Sequence, residues 1–514
     1  MKGFNMMDQK RKVNLDELFE YQKELLKDSS FRVSQNALVN NKLEDVAIDF
    51  ESLKKYNGEY TNNIKPASAK ITHQKNSGRC WIFAALNMIR DKFIEDNNLE
   101  NFEFSQSYLH FYDKLEKANV FLNHMVDMVD VDSTDRVLFS LLSEATGDGG
   151  FFDWAKNLIL KYGLVPKSEM EDSFSSSNTL TINKLLDLKL KQAAIEIRKY
   201  KEDKSQIFQI KEKYLYDVYK ILVSAYGLPP KKFDLFLKDK KEKTKNFYGL
   251  TPLTFLKKIK FNFDDYVSIV YTPYRKIKPF QRYELTYANA MQEKGNAVFT
   301  TVDQATFRLM ALSMMYKKKS IWFACDVDHF SSRQKGIWAT DLYDFENFFN
   351  IKFNKDISQH IEYSQIGSNH AMTLQGFDLN TKSWEKVKSD YFAKNKSKKL
   401  SIDDFKSLVN LIPIKKWNIE NSWGEKFGNK GIFTISDDWF NNYVYEIVLS
   451  KSLFKEFLKN PEFLSKTEFA KFKSSSSQNK TDFLYEQMLS NALATKPIKL
   501  ALWEPFNKFM KGVK

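Results

Sequence analysis

Cysteine is nearly absent: the 514 residues hold two, Cys80 and Cys325. Two thiols cannot build a disulfide framework, which excludes the disulfide-stapled secreted scaffolds and suits a reducing compartment in which a free thiol stays usable. Histidine is scarce too, with six residues, and no cysteine–histidine pair stands at metal-ligand spacing. HExxH and the glycine-rich phosphate loop are both missing, so a zinc or nucleotide enzyme has no motif to rest on, and no cofactor is expected. No stretch approaches the roughly 18 uncharged apolar residues that span a bilayer. The opening MKGFNMMDQKRKVNLDELFEYQ interleaves charges and never forms the apolar core of a secretory signal, so a cytoplasmic protein without a membrane partner is expected. There is no internal repeat.

The length exceeds one simple domain and predicts a catalytic unit with a substantial insertion, in two or three modules. An aromatic share of 15% and a hydrophobic share of 43% exclude global disorder, while 28% charged residues and a mean hydropathy of −0.49 describe a well-solvated surface. Basic residues outnumber acidic ones by 79 to 65, giving +14 and a pI near 9.2. That excess is mostly lysine scattered over solvated helices, without a groove-reading motif, so specific nucleic-acid binding is not expected.

One of the two cysteines stands where a thiolate is useful. In Gln74-Lys75-Asn76-Ser77-Gly78-Arg79-Cys80-Trp81, turn and N-cap residue types precede Trp81–Asp96, whose apolar residues repeat at helical spacing. Cys80 should therefore open a helix, where unpaired amides and the positive dipole end lower a thiol pKa, and the thiolate is the form that attacks carbonyls. Cys325, inside the apolar run Ser320–Asp326, reads as an inert thiol in a buried strand.

Along the chain, residues 1–63 read as a charged surface arm with helical pieces at 15–19 and 43–53. Residues 64–170 carry the Cys80 helix, a second helix capped by Ser105 with His110 on its apolar face, and Gly147-Asp148-Gly149-Gly150. Paired glycines let backbone approach a ligand closely, or make a plain turn. The helix from Phe151 to Tyr162, stopped by Gly163 and Pro166, carries aromatics that either line a pocket or pack. Residues 171–280 read as an inserted helical module rich in lysine and leucine. Residues 281–450 read as β-rich, with strands near Ser320–Val327, His370–Phe377, Trp417–Ile419 and Gly431–Ser436. Residues 451–514 comprise a polar excursion, Lys451–Lys480, which contains Ser474–Ser477, and an apolar tail from Lys499 that should dock.

Acyl transfer on a cysteine needs a base, a group that orients the base, and donors for the oxyanion. His370, in Ser368-Asn369-His370-Ala371 at a strand start, can supply the imidazole. Asn421, in Asn421-Ser422-Trp423-Gly424, can accept its other ring proton, with Trp423 covering that bond. The Gln74 amide can join the Cys80 backbone N–H in an oxyanion hole. Each residue alone is weak evidence; Gln-x5-Cys-Trp, Asn-His-Ala and Asn-Ser-Trp-Gly in that order are specific.

Those motifs resemble the papain superfamily of cysteine peptidases, and within it the bleomycin hydrolase and aminopeptidase C branch. The resemblance covers Gln74–Ala85, Phe104–Asn119, Gly149–Pro166, Pro229–Phe236, Thr251–Leu253, Trp322–Val327, Asn369–Gly376 and Glu420–Glu446. The 290 residues separating Cys80 from His370 also match this branch, whose helical insertion falls there. The resemblance implies an α+β fold in which a helical lobe and an antiparallel β-barrel lobe meet at a cleft, with a large helical insertion. It implies Cys80 as nucleophile, His370 as base and acid, Asn421 as orienter and Gln74 as oxyanion donor, with Gly149, Gly150, Asn369 and Trp423 around a peptide substrate. It further implies a cytosolic homohexamer whose C-terminal arm lies in the cleft, the terminal carboxylate receiving the substrate's free amine, hence an aminopeptidase. A same-class endopeptidase with an open cleft is the alternative.

The chain departs from that pattern in four places. Its tail reads Trp503-Glu504-Pro505, where relatives resemble Trp-Asp-Pro, and runs on through Lys511–Lys514. The two added ammonium groups would repel a substrate amine unless trimmed, near Met510, or folded aside. Phe151-Phe152 stands where glutamine and tryptophan are usual, His73 replaces an asparagine beside Gln74, and the Lys451–Lys480 excursion is long.

Overall fold

The computed structural model describes residues 12–512 apart from 57, 65–69, 144, 397–398 and 473–479. Its centre is the strand Ile321–Cys325, five consecutive buried residues. Side chains alternate across a strand. Ile321, Phe323 and Cys325 enter one hydrophobic core, while Trp322 and Ala324 enter a second on the opposite face. A continuous apolar run is what a strand covered on both faces requires.

Around it runs a mixed sheet of twelve strands. In spatial order the main path is Ile498–Leu500, Arg282–Leu285, Val298–Thr301, Tyr266–Val270, Val444–Ser450, Ile321–Cys325, His370–Leu379, Ile414–Glu420, Ile432–Ser436, Ile337–Trp338 and Ser331–Ser332, with Asn62–Asn63 beside His370–Leu379. Three of its pairings are parallel, so the β region is mixed where an all-antiparallel one is expected. The register sets His370 opposite Cys325 and Thr373 opposite Glu420, which brings Asn421 to the same end of the sheet as His370.

The Cys80–Asn97 helix lies on the second core's side of this sheet and packs on His370–Leu379. Trp322 Nε1 donates to the Trp81 carbonyl at 3.0 Å, fixing the helix start against the central strand. Further along, buried Arg90 pairs with Glu420 at 2.6 Å, and Asn87 Nδ2 donates to the same carboxylate at 3.2 Å. A buried charge without its partner is costly, so this pair holds helix and strand in one register, with Asn421 the next residue along.

The segment 171–280 is helical mainly in its first half, with one short helix, Pro252–Lys258, in its second. Thr179–Lys199 and Lys204–Tyr226 pack on the helix Gln106–Asp127. A two-stranded hairpin, Phe233–Lys238 with Thr244–Leu250, follows, and Tyr266–Val270 then joins the large sheet. The excursion at 451–480 differs from expectation as well. Helices Lys451–Phe457 and Lys466–Ala470 and the turn between them bury Phe454, Phe457, Leu458, Phe463, Leu464 and Phe469 in the first core, so apolar packing outweighs the lysine content. Ser474–Ser477 lies outside the described residues. The tail docks as expected, its helix Pro505–Met510 burying Phe506, Phe509 and Met510.

Glu446, on Val444–Ser450, is fully buried, and neither carboxyl oxygen has a hydrogen-bond partner among the described residues. Burial pushes it up from an ordinary 4.5 to about 8. A raised folded value means the folded state holds the proton more tightly than the unfolded chain. The stability this contributes is complete below about 4.5 and is lost as pH climbs through about 8. Glu446→Gln should therefore raise the melting temperature above pH 8 by about 2 °C or more relative to any offset at pH 5, read by thermal unfolding at both pH values. Equal offsets at the two pH values would show that no proton is held there.

Candidate active site

Cys80 is the first residue of its helix. The N-cap is Arg79, without a side-chain cap; the residues before it bond to one another instead. Ser77 Oγ donates to the Gln74 carbonyl at 2.5 Å, and Arg79 Nε donates to Ser77 Oγ at 2.9 Å. The nearby Ala371 and Trp81 amides favour the Cys80 thiolate, and Ala371 is the residue following His370.

Burial pushes the Cys80 thiol up to about 11, outweighing those amides. The expectation that a helix start lowers this thiol is thereby reversed, because withdrawal from water penalises a thiolate more than the amides favour it. The His370 imidazole is buried as well and is pushed down to about 4. Burial thus disfavours the charged form of each group taken alone.

His370 Nε2 lies 2.9 Å from Asn421 Oδ1. That oxygen also accepts the Ser422 N–H at 2.8 Å, so it is an acceptor, Nε2 carries the ring proton, and Nδ1 is left free for the thiol. Asn421 is fully buried, and the Trp423 ring lies 4.8 Å from the imidazole at a 31° tilt. Arg333 stacks over Trp423 and over Phe427, 4.4 and 4.2 Å from their centroids. The indole therefore shields the His370–Asn421 bond from water, and a cation–π contact holds it in place.

Gln74 is fixed from the same loop. Its Oε1 accepts from Ser422 Oγ at 2.6 Å, and its backbone N–H donates to the Ser422 carbonyl at 2.8 Å. Nε2 donates one hydrogen to the Ser77 carbonyl at 2.7 Å, leaving its second for an incoming oxygen. Ser422 thus joins Asn421 to Gln74. Sequence reasoning passed over it, since its only signal is its place between Asn421 and Trp423. His73 bridges to Trp423, and a Cβ on Gly424 would lie 2.6 Å from the His73 ring, so the departure at 73 is a packing contact under the same loop.

The other expected residues divide. Gly150 lies against Trp81, where a Cβ would sit 2.5 Å from the indole, so only glycine fits. Gly149 has open space around it, and its carbonyl accepts from Lys117 Nζ at 2.7 Å. Phe151 and Phe152 are buried, against Trp154 and Phe299 and against Trp322 respectively, so these aromatics pack. The Asn369 side chain is committed to the loop that follows Cys325: Nδ2 donates to Asp326 and Asp328, and Oδ1 accepts from the Val327 amide. His110 is fully buried and bonded to Tyr226, and Cys325 faces the His370 carbonyl at 3.6 Å.

The tail reaches this end of the sheet. The Ser368 N–H donates to the Phe509 carbonyl at 2.8 Å, two residues before His370, and Gly512 packs on Ser368. Lys511 Nζ donates to the Thr286 and Tyr287 carbonyls at 3.2 and 3.3 Å, and burial pushes it down to about 8. Lys511 is thus folded aside, which meets one of the two charge problems without trimming. Val513 and Lys514 lie outside the described residues.

A lone thiol at a helix start, an imidazole held by an amide oxygen and a fixed donor amide make a site equipped for acyl transfer to sulfur. The chain belongs to the Peptidase C1-like family, whose family model matches residues 12–393 and 408–467. It is 34% identical to an Aminopeptidase C of Streptococcus thermophilus over 76% of this chain and 83% of that one. It is 28% identical to a bleomycin hydrolase of Homo sapiens over 85% and 92% of the respective chains. The crystal structure of PepW from Lactobacillus rhamnosis HN001 superimposes with a TM-score of 0.80 at 30% identity, covering 96% of this chain and 98% of that one.

Proposed function

We propose that this protein is a cysteine aminopeptidase that hydrolyses N-terminal peptide bonds through an acyl-enzyme on Cys80. The observation that carries the reading is the His370–Asn421 bond at 2.9 Å, with the Cys80 thiol at the start of the helix that packs on the strand beginning at His370. The Cys80 proton passes to His370 Nδ1, and the sulfur adds to the carbonyl carbon of the scissile bond. Gln74 Nε2 and the Cys80 N–H donate to the resulting oxyanion. His370 returns the proton to the leaving amine as the C–N bond breaks. It then takes a proton from water, which attacks the thioester and restores the thiol as the amino acid leaves. Asn421 keeps the imidazole in the required tautomer throughout, and Trp423 keeps water from that bond.

The free-amine preference rests on the tail. Phe509 and Gly512 contact Ser368, so the described part of the tail runs beside the residues that lead into His370, where a tail carboxylate can anchor a substrate amine. Gly149, Gly150, Trp423 and the Asn369 backbone border the substrate's path. The architecture we infer is the two-lobe papain arrangement, the second core as helical lobe and the first as β lobe, with the insertion at 171–280 and the divisions at 63, 170, 280 and 450. A homohexamer is supported by the helices Leu15–Leu25 and Ser29–Asn40, which bury no residue within the chain and expose Leu15, Phe19, Leu26 and Val33. No helix among the described residues is long and apolar enough to cross a membrane. With only two thiols, both free, we place the protein in the cytoplasm.

Iodoacetamide tests the chemistry. One equivalent bound at Cys80 should remove turnover of aminoacyl fluorogenic substrates, while a chelator leaves the rate unchanged; full activity in alkylated protein would contradict the reading.

A further inference from the structure

We propose that Asp148 is a positioning residue for the nucleophile, a clamp that holds the chain on both sides of Cys80. Its Oδ2 accepts the Gly78 N–H at 2.9 Å, two residues before the thiol. Its backbone carbonyl accepts Trp81 Nε1 at 2.7 Å, one residue after the thiol. The approach is close: a Cβ on Gly78 would lie 2.6 Å from the Asp148 Cβ. Asp148 thus holds the chain before Cys80 through its carboxylate and after it through its backbone carbonyl.

The clamp is itself held from behind. Lys114 Nζ, fully buried, contacts Oδ1 at 2.6 Å and donates to the Thr146 carbonyl at 2.8 Å. Asn183 Nδ2 donates to Oδ1 at 2.8 Å, and the Thr179 hydroxyl donates to Oδ2. His110 Nε2 stands 3.5 Å away, beyond a good hydrogen bond. Burial alone would raise this carboxyl, yet Lys114, with His110 behind it, holds it well below the usual carboxylate range. The acceptor is therefore permanently charged, and a charged acceptor makes the stronger bond to a backbone N–H. A sulfur misplaced by about 1 Å costs on the order of 10²-fold in rate, so a fixed turn before a nucleophile matters to turnover more than to binding. The same residue leads into Gly149 and Gly150, so it ties the thiol's turn to the glycines at the substrate's edge.

Because this rests on Cys80 as the nucleophile, the variants are assayed beside Cys80→Ala. Asp148→Asn keeps the backbone carbonyl for Trp81 but weakens the bond to Gly78. Asp148→Asn with Lys114→Met removes both members of the buried ion pair, so that no buried charge is left unpaired to unfold the protein. In both we expect kcat to fall about tenfold or more with KM within about threefold. In Asp148→Asn the pH profile of Cys80 alkylation should also move to lower pH, because the Asp148 charge adds to burial in raising the thiol. A purely structural role would lower the melting temperature but leave kcat per folded molecule and the alkylation profile where they are. Wild-type kcat in either folded variant, with Cys80→Ala inactive, overturns the clamp alone; an active Cys80→Ala overturns the nucleophile and the clamp with it.

Discussion

Cys80→Ala should lose turnover of aminoacyl fluorogenic substrates by about 10⁴-fold or more while keeping its fold and assembly. The size follows from the chemistry, because without sulfur no acyl-enzyme forms and only binding and the oxyanion donors remain. The retained fold follows from the environment. Cys80 occupies a helix start whose register is set by Trp81, Trp322, Arg90 and Glu420, none of which needs the sulfur. Circular dichroism and sizing beside the assay separate the two, and a folded, fully active Cys80→Ala would overturn the mechanism.

The second large effect is on His370. Burial raises the Cys80 thiol to about 11 and lowers the imidazole to about 4, so in the proposed mechanism the thiolate forms only as its proton passes to His370. In His370→Ala the thiolate loses its counter-charge, and the sign follows: the thiol should remain protonated through neutral pH. Alkylation of Cys80 at pH 7 should slow by on the order of 10²-fold or more, and its profile should climb toward a midpoint near the raised thiol value. Peptidase turnover should fall by a factor comparable to that of Cys80→Ala, since residues that act as a unit are not additive. Alkylation at the wild-type rate in this variant would show that the helix start alone activates the sulfur.

How much was legible depended on whether a residue's role is local. Cys80 at a helix start, His370 at a strand start and Asn421 on the following loop can be read from turn chemistry and apolar spacing, and the register places His370 and Asn421 at one end of the sheet. The sign of the thiol's shift could not be read, because the opposing burial comes from chain hundreds of residues away. Ser422 and Asp148 escaped for a related reason: their bonds reach Gln74, and Gly78 with Trp81, across 348, 70 and 67 residues. The excursion at 451–480 was misjudged because its lysines lie on the outer faces of short helices whose phenylalanines point inward. In Phe233–Lys238 the exposed Phe236 breaks the apolar–polar alternation that marks a strand, and the lysine- and leucine-rich run before it sets a helical expectation.

The central claim is that a thiol site beside the docked tail removes residues one at a time from free N-termini. Its most direct measurement is the product mass series from one defined peptide, supplied with a free and with an acetylated N-terminus. The account predicts a ladder shortened residue by residue from the free amine, with the acetylated peptide left whole. Internal fragments released from the acetylated peptide at a matching rate would contradict it.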